Sequence, residues 1–383
     1  MGNAYDSASL LVTPNGYKAS KIYSAKPTDG SGDLAFSRAS TAMRRNSAGL
    51  WESVANNVPR LQYPVGGGCP SWLFEPQATN YALQSTDFSN VAWVKTGVTV
   101  TPNFSASVLS GVDASKLTFT TIGTINTTQS FLGNSSIAAW VMVKADTLTK
   151  FRLVEAFYFG NFVEFDLVAK TATGTGGFII EQDNGWFICG LTKSYGVGQT
   201  ALSYTLNSIS TAGSLLICQA QFEVGSVATS PIITAGSAVT RLRDSYSRTL
   251  SAINQGSAIV KIPDNISVSG GGTHLFGIFI LAGTGIGVYL SRISNGRNRL
   301  WTQDATTIFQ TTVNDLKLGI TWNGTGISVW QNGIKVVTDF SYALTGVINL
   351  LSSANLETSN LIDEIVLYNT VLSDTEMGEL TTL

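Results

Sequence analysis

The segment Ala220–Asp244, reading AQFEVGSVATSPIITAGSAVTRLRD, constrains the fold more tightly than any other stretch. It begins as an alternating strand. Ile217, Gln219, Gln221 and Glu223 are expected on one face, and Cys218, Ala220, Phe222 and Val224 on the other, because successive side chains of a strand point to opposite sides. The chain then leaves through a Gly-Ser corner, a Ser230-Pro231 step and a small-residue loop. A strand running into such an extended segment predicts a β-sandwich whose last strand hands the chain to a second module.

Composition agrees. Charged residues make up 13% of the 383 positions, against about 25% in ordinary globular proteins. Gly, Ser, Thr, Asn and Val take their place, a mixture suited to short strands and tight turns. The length accommodates two domains. Formal net charge is −2, and the arginine groups Arg38, Arg44, Arg45 and Arg241, Arg243, Arg248 form no stripe with interleaved aromatics. Nucleic-acid binding is therefore not expected. The apolar stretch from Leu275 to Leu290 is broken by glycines, so membrane insertion is not expected either. The N-terminus, MGNAYDSASLLVTP, has no basic n-region and reads as no signal peptide. Cys69, Cys189 and Cys218 cannot all pair within one chain and show no metal-ligand spacing; Cys189 and Cys218 read as small buried hydrophobes.

Four regions follow from the pattern: an N-terminal arm over 1–24, a turn-rich region over 25–80, a first sandwich over 81–244 and a second over 250–383. The arm carries the apolar patch Leu10, Leu11, Val12 and, after a turn at Pro14-Asn15-Gly16, Tyr17. It either docks on its own domain or is captured by a neighbour. In the turn-rich region, strands are expected around Ala35–Ser40 and Gly49–Val54, joined by a turn at Asn46–Gly49. Asp183-Asn184-Gly185-Trp186 predicts a two-residue hairpin loop, and Trp330-Gln331-Asn332-Gly333-Ile334 a second Asn-Gly hairpin. Ser373 and Glu376 fit the capping box of a short C-terminal helix. The fold class expected is all-β: tandem antiparallel jelly-roll sandwiches with an extended N-terminal arm and a short C-terminal helix.

The order FSRASTA, NSAGLWE, NVPRLQY, CPSWLFEPQATN in the first quarter is similar to the opening block of bacteriophage head-spike and fibre proteins. The strand, Asn-Gly-Trp turn, strand and AQFE strand of the middle resemble a carbohydrate-binding jelly roll. WNGTG, WQNG and IDEIVLYNTVLSDTE resemble a laminin-G or concanavalin-like jelly roll. This resemblance implies a virion surface protein made in the host cytoplasm: a head fibre or spike, or a tail fibre, built as a homo-oligomer, trimer or dimer. It implies docking on other virion proteins, such as the capsid, through the N-terminal region, with Leu10, Leu11, Val12 and Tyr17 as anchor. It implies weak multivalent attachment to host glycans and no enzymatic activity. The alternatives are a polysaccharide-degrading surface enzyme and a purely architectural capsid decoration protein.

Little in the chain reads as reaction chemistry. The sole histidine, His274, has no partnered nucleophile nearby in sequence. Glu164 and Asp166 project from one face of the expected strand Phe162–Leu167, at a spacing compatible with paired glycosidase carboxylates, and are the candidate acid and base of the enzyme reading. Any exposed strand with alternating acids looks the same. Gly66-Gly67-Gly68 and the glycines from Gly283 to Gly287 lack a following lysine and helix and read as turns. No cofactor is expected. A structural calcium ion would suit jelly rolls of this type, but Asp113, Asp183 and Asp304 show no recognisable oxygen-ligand spacing, and the metal is left unknown. Trp93, Trp140, Trp186, Trp322 and Trp330 read as core. Tyr289, Arg292 and Trp301 are the candidates for a glycan-binding surface.

Overall fold

A computed structural model describes residues 4–130, 136–155, 162–195, 201–209, 212–225, 227–250, 254–263, 276–283, 286–292, 298–312, 315–351 and 360–383. The chain is all-β, its sheets are antiparallel, and its single α-helix among the described residues is Asp374–Thr381 near the C-terminus. Ser373 caps that helix as expected: its hydroxyl accepts from the Glu376 amide, and the Glu376 carboxylate accepts from the Ser373 amide at 2.8 Å.

The first sandwich is a ten-stranded sheet folded over on itself. Its spine is the strand Asp113–Ser130. Residues 115–119 of that strand pair with 213–217, and residues 124–130 pair with 201–207, so one bent strand feeds both halves. Between the halves lies a core that includes Leu117, Phe119, Phe151, Phe165, Phe187 and Phe222. Phe151 and Phe165, directly opposite on paired strands, stack at 5.0 Å.

The strand Gly213–Val224 departs from simple alternation. A β-bulge shifts its register against Ser136–Ala145, so that Met142 faces Gln219 while Val143 faces Ile217. The extra residue reverses the faces. Ile217 therefore shares the inner core with Ala220 and Phe222, while Cys218 enters a second core on the opposite face with Trp51, Trp140 and Trp186. The expected grouping of Ile217 with Gln219, Gln221 and Glu223 fails for this reason. No local sequence signal announces the bulge.

The second sandwich stacks a six-stranded sheet on a nine-stranded one. Its sheets are not drawn from 250–383 alone. Leu10–Val12 pairs with Glu364–Tyr368 at one edge of the first sheet. Leu34–Ser37 pairs with Ser245–Leu250 inside the second. The N-terminal segment thus docks on its own chain. Leu10 and Val12 are 2% and 1% exposed. Leu11 packs under the C-terminal helix. Tyr17 meets the edge of Trp72 at 6.0 Å and hydrogen-bonds Arg44 at 2.7 Å. Of the four residues expected to anchor the chain to a neighbour, Leu10 and Val12 are buried within this chain, and Leu11 and Tyr17 are half-buried against it.

Residues 42–80 lie between the sandwiches. The hairpin around Asn46–Gly49 joins Ala42–Arg45 to Trp51–Val54. The expected partner Ala35–Ser40 is not used, because Leu34–Ser37 is claimed by the nine-stranded sheet. Arg60–Gln62, Ser71–Phe74 and Asn360–Ile362 form a three-stranded sheet, and Ala78–Asn80 pairs with Val239–Arg241. The loop Asp183–Gly185 has three residues rather than two, with Asn184 and Gly185 at φ 58° and 74°. The Asn332-Gly333 hairpin is the two-residue form expected, at φ 47° and 87°.

Candidate functional site

Three guanidiniums and two carboxylates are buried together where the sandwiches meet. Arg60 contacts Glu75 at 2.6 Å and also bonds Asp244; Arg38 reaches Asp244 at 2.8 Å; Arg241 reaches Glu75 at 2.7 Å. The Ser230 amide and hydroxyl both donate to Glu75. Burial by itself would raise the Glu75 carboxyl, but Arg241 and Arg60 overcome that and hold it at about 2. These arginines, which look in sequence like surface charges, are structural.

The segment after Gly213–Val224 is held by side chains in place of a backbone ladder. Gln219 donates to the Ile232 carbonyl at 3.1 Å, and Gln221 accepts from the Ile232 amide at 2.7 Å. Glu223 accepts from the Thr229 amide at 2.8 Å and hydroxyl at 2.6 Å. These polar groups are fully buried, and each bond satisfies a group that burial would otherwise penalise. Burial raises the Glu223 carboxyl, opposed by its bonds to Thr229.

Above this joint opens a cleft of about 1090 Å³. Its floor includes Trp51, Glu75 and Ser230. Arg45 lies along one wall, donating to Gln182 at 3.0 Å and to the Tyr63 carbonyl at 2.9 Å. Asp363 and Glu364 both line the cleft but take separate partners: Asp363 accepts from Ser71 at 2.6 Å and pairs with Lys261, and Glu364 pairs with Lys317. Sequence reading missed this cleft because its walls come from three distant parts of the chain.

The candidate glycan residues are partly assembled. Tyr289 and Trp301 are directly opposite on the paired strands Ile286–Arg292 and Asn298–Thr302, with rings stacked at 4.7 Å and 26°. Val288, Leu290, Leu300 and Thr302 point into the sandwich, so alternation sends Tyr289 and Trp301 outward, and both are half-buried. A Cβ at Gly287 would lie 2.6 Å from the Tyr289 hydroxyl, so glycine leaves room for that ring. Arg299 lies 5.7 Å from the Trp301 ring centre and is oriented by bonds to Thr307 at 2.7 Å and the Ala305 carbonyl at 2.8 Å. Sequence reading passed over Arg299, two residues before Trp301 on the same face. The Arg292 side chain and His274 lie outside the described residues.

Glu164 and Asp166 face cross-strand cations. Arg152 contacts Glu164 at 2.9 Å and Lys150 contacts Asp166 at 2.9 Å, each pair directly opposite in register. The Asp166 carboxyl is lowered by the Ala169 amide and by Lys150. An ionised carboxylate held below its ordinary range is poorly matched to a general acid. Trp93, Trp140, Trp186, Trp322 and Trp330 are all buried in cores. Among the described residues, no group of three or more His, Cys, Asp or Glu side chains is placed to hold a metal ion.

No protein-family model matches the sequence, and no curated protein does. Among solved structures, the Trypanosoma rangeli sialidase in complex with sialic acid is matched at 9% identity and TM-score 0.27, over 69% of this chain and 59% of that chain. The chain thus spans about 59% of that sialidase's length. The N-terminal CBM22-1-CBM22-2 tandem domain from Paenibacillus barcinonensis Xyn10C is matched at 11% identity and TM-score 0.26, over 78% and 99% of the two chains. The T. rangeli sialidase with the inhibitor DANA is matched at 12% identity and TM-score 0.27, over 95% and 82%.

Proposed function

We propose that this chain is a display protein of a bacteriophage virion, a head fibre or spike (a tail fibre is the second location), whose paired sandwiches grip host glycans without cleaving them. The observation that carries the glycan reading is the outward Tyr289–Trp301 stack on two paired strands, flanked by Arg299. Stacked aromatics on a sheet form a stiff, partly apolar ledge, and a pyranose ring presents an apolar face that can lie against it. The oriented guanidinium beside the ledge supplies donors to sugar hydroxyls or carboxylates.

The virion reading rests on the resemblance of the first quarter to phage spike and fibre proteins. Such proteins act as homo-oligomers, and a trimer or dimer would bring several ledges together, so that weak single contacts sum to firm attachment. Capsid decoration without sugar binding is the competing architectural reading. Screening the purified protein on host-derived glycans separates the two: retention of a defined glycan set, lost in Trp301→Ala, supports attachment, and silence across the array supports decoration. Tagged chain located by imaging on phage particles tests the virion assignment; its absence from particles overturns it.

A further inference from the structure

We propose that the cleft between the sandwiches is a second binding site, separate from the aromatic ledge, for a neutral polyhydroxylated chain several sugar units long. Size is the first argument. At about 1090 Å³ it lies just above the roughly 300–1,000 Å³ range of small-molecule sites, more room than a single sugar ring fills.

Charge is the second. Each charged group on the cleft wall already has its own counter-ion. Glu181 pairs with Lys170 at 2.8 Å, Asp363 with Lys261 at 3.4 Å and Glu364 with Lys317 at 3.1 Å. Arg45 has Asp183 at 3.8 Å, and Glu75 has Arg60 and Arg241. An ionic ligand would have to compete with these pairs. A neutral ligand with many hydroxyls needs only to bridge their unused lone pairs and N–H edges, which is hydrogen bonding spread around an opening.

Rigidity is the third. Four of the nine prolines, Pro14, Pro64, Pro70 and Pro263, line the cleft. Proline fixes φ and donates no hydrogen bond, so these residues offer stiff apolar patches between the polar groups. The joint beneath is locked by the buried Arg–Glu–Asp network. A preformed cleft spares a ligand the cost of ordering its walls.

Cys69 provides the test. It is exposed and lines the cleft, while Cys189 and Cys218 are buried, so a maleimide attaches at one place on the folded chain. Calorimetric titration of the full chain with neutral linear hexasaccharides (cello-, malto-, manno- and chito-) is expected to give saturable binding to at least one. A polyethylene glycol maleimide on Cys69 should weaken that binding roughly tenfold or more, and Trp301→Ala should leave it within about twofold. Failure of all four to bind, or binding unchanged by the Cys69 block, would overturn the proposal. So would binding confined to a galacturonic acid hexamer or a proline-rich peptide, or a loss of hexasaccharide binding in Trp301→Ala. Tyr289, Arg299 and Trp301 do not line the cleft, and the paired Cys69 and Trp301→Ala measurements tell failure here from failure of the ledge.

Discussion

Arg38 and Asp244, 206 residues apart in sequence, meet at 2.8 Å with both side chains fully buried. Asp244 also bonds Arg60 and accepts the Glu75 amide at 2.9 Å, so one carboxylate ties the turn-rich region to the strand that enters the second sandwich. Removing one partner of a buried ion pair leaves the other charge uncompensated. Asp244→Ala leaves the buried Arg38 without a carboxylate and Arg60 with Glu75 alone, and is expected to cost about 3–5 kcal/mol, read from the urea dependence of unfolding. A cost near that of a surface substitution would contradict the network's role.

Two buried carboxyls give stability opposite pH dependences. Glu75 is held at about 2 from an ordinary 4.5, so as pH falls through that window the unfolded chain takes up the proton first, and stability present above 4.5 is lost. Glu223 is raised by burial, so above 4.5 the unfolded chain loses its proton while the folded chain keeps it, and stability falls as pH rises toward the raised value. Glu223→Gln keeps an acceptor for Thr229 and is expected to abolish the decline on the alkaline side while leaving the acid loss intact. Urea midpoints from about pH 3 to about pH 8 check this; an alkaline decline that persists in the variant would exclude Glu223 as its source.

The N-terminal strand is structural. Leu10 is 2% exposed and sits in the core of the second sandwich. Leu10→Ala should cost about 2–5 kcal/mol, as large-to-small core changes do, and residues 250–383 expressed alone should give no dispersed amide spectrum. A free anchoring arm would instead leave both stability and the spectrum unchanged.

What sequence alone could reveal follows the range of the interactions. The Asn332-Gly333 hairpin and the Ser373–Glu376 capping box depend on neighbours in the chain, and the structure has them where expected. The five tryptophans expected in the core are buried, four of them in strands and Trp93 in the bend before Val94–Ala106. The pairing of Leu34–Ser37 with Ser245–Leu250 is decided by which distant edge is available, and no local pattern encodes it. The bulge opposite Met142 and the burial of Arg38, Arg60 and Arg241 belong to the same class. One signal was there to find: Glu75 follows Trp72-Leu73-Phe74, an apolar run in which a carboxylate needs a buried cation.

Glu164 and Asp166 are paired with Arg152 and Lys150 across the sheet. The double variant Glu164→Gln/Asp166→Asn is expected to release reducing ends from host capsule at the same background rate as the wild type. A measurable wild-type rate that falls in the variant would favour the enzyme reading.

The ledge is tested most directly by the affinity of wild type and Trp301→Ala for whichever host glycan the array selects. Loss of the stacked ring should weaken binding about tenfold, equivalent to about 1.4 kcal/mol, with an unchanged urea midpoint. Equal affinities for the two proteins would contradict a glycan grip at Tyr289 and Trp301.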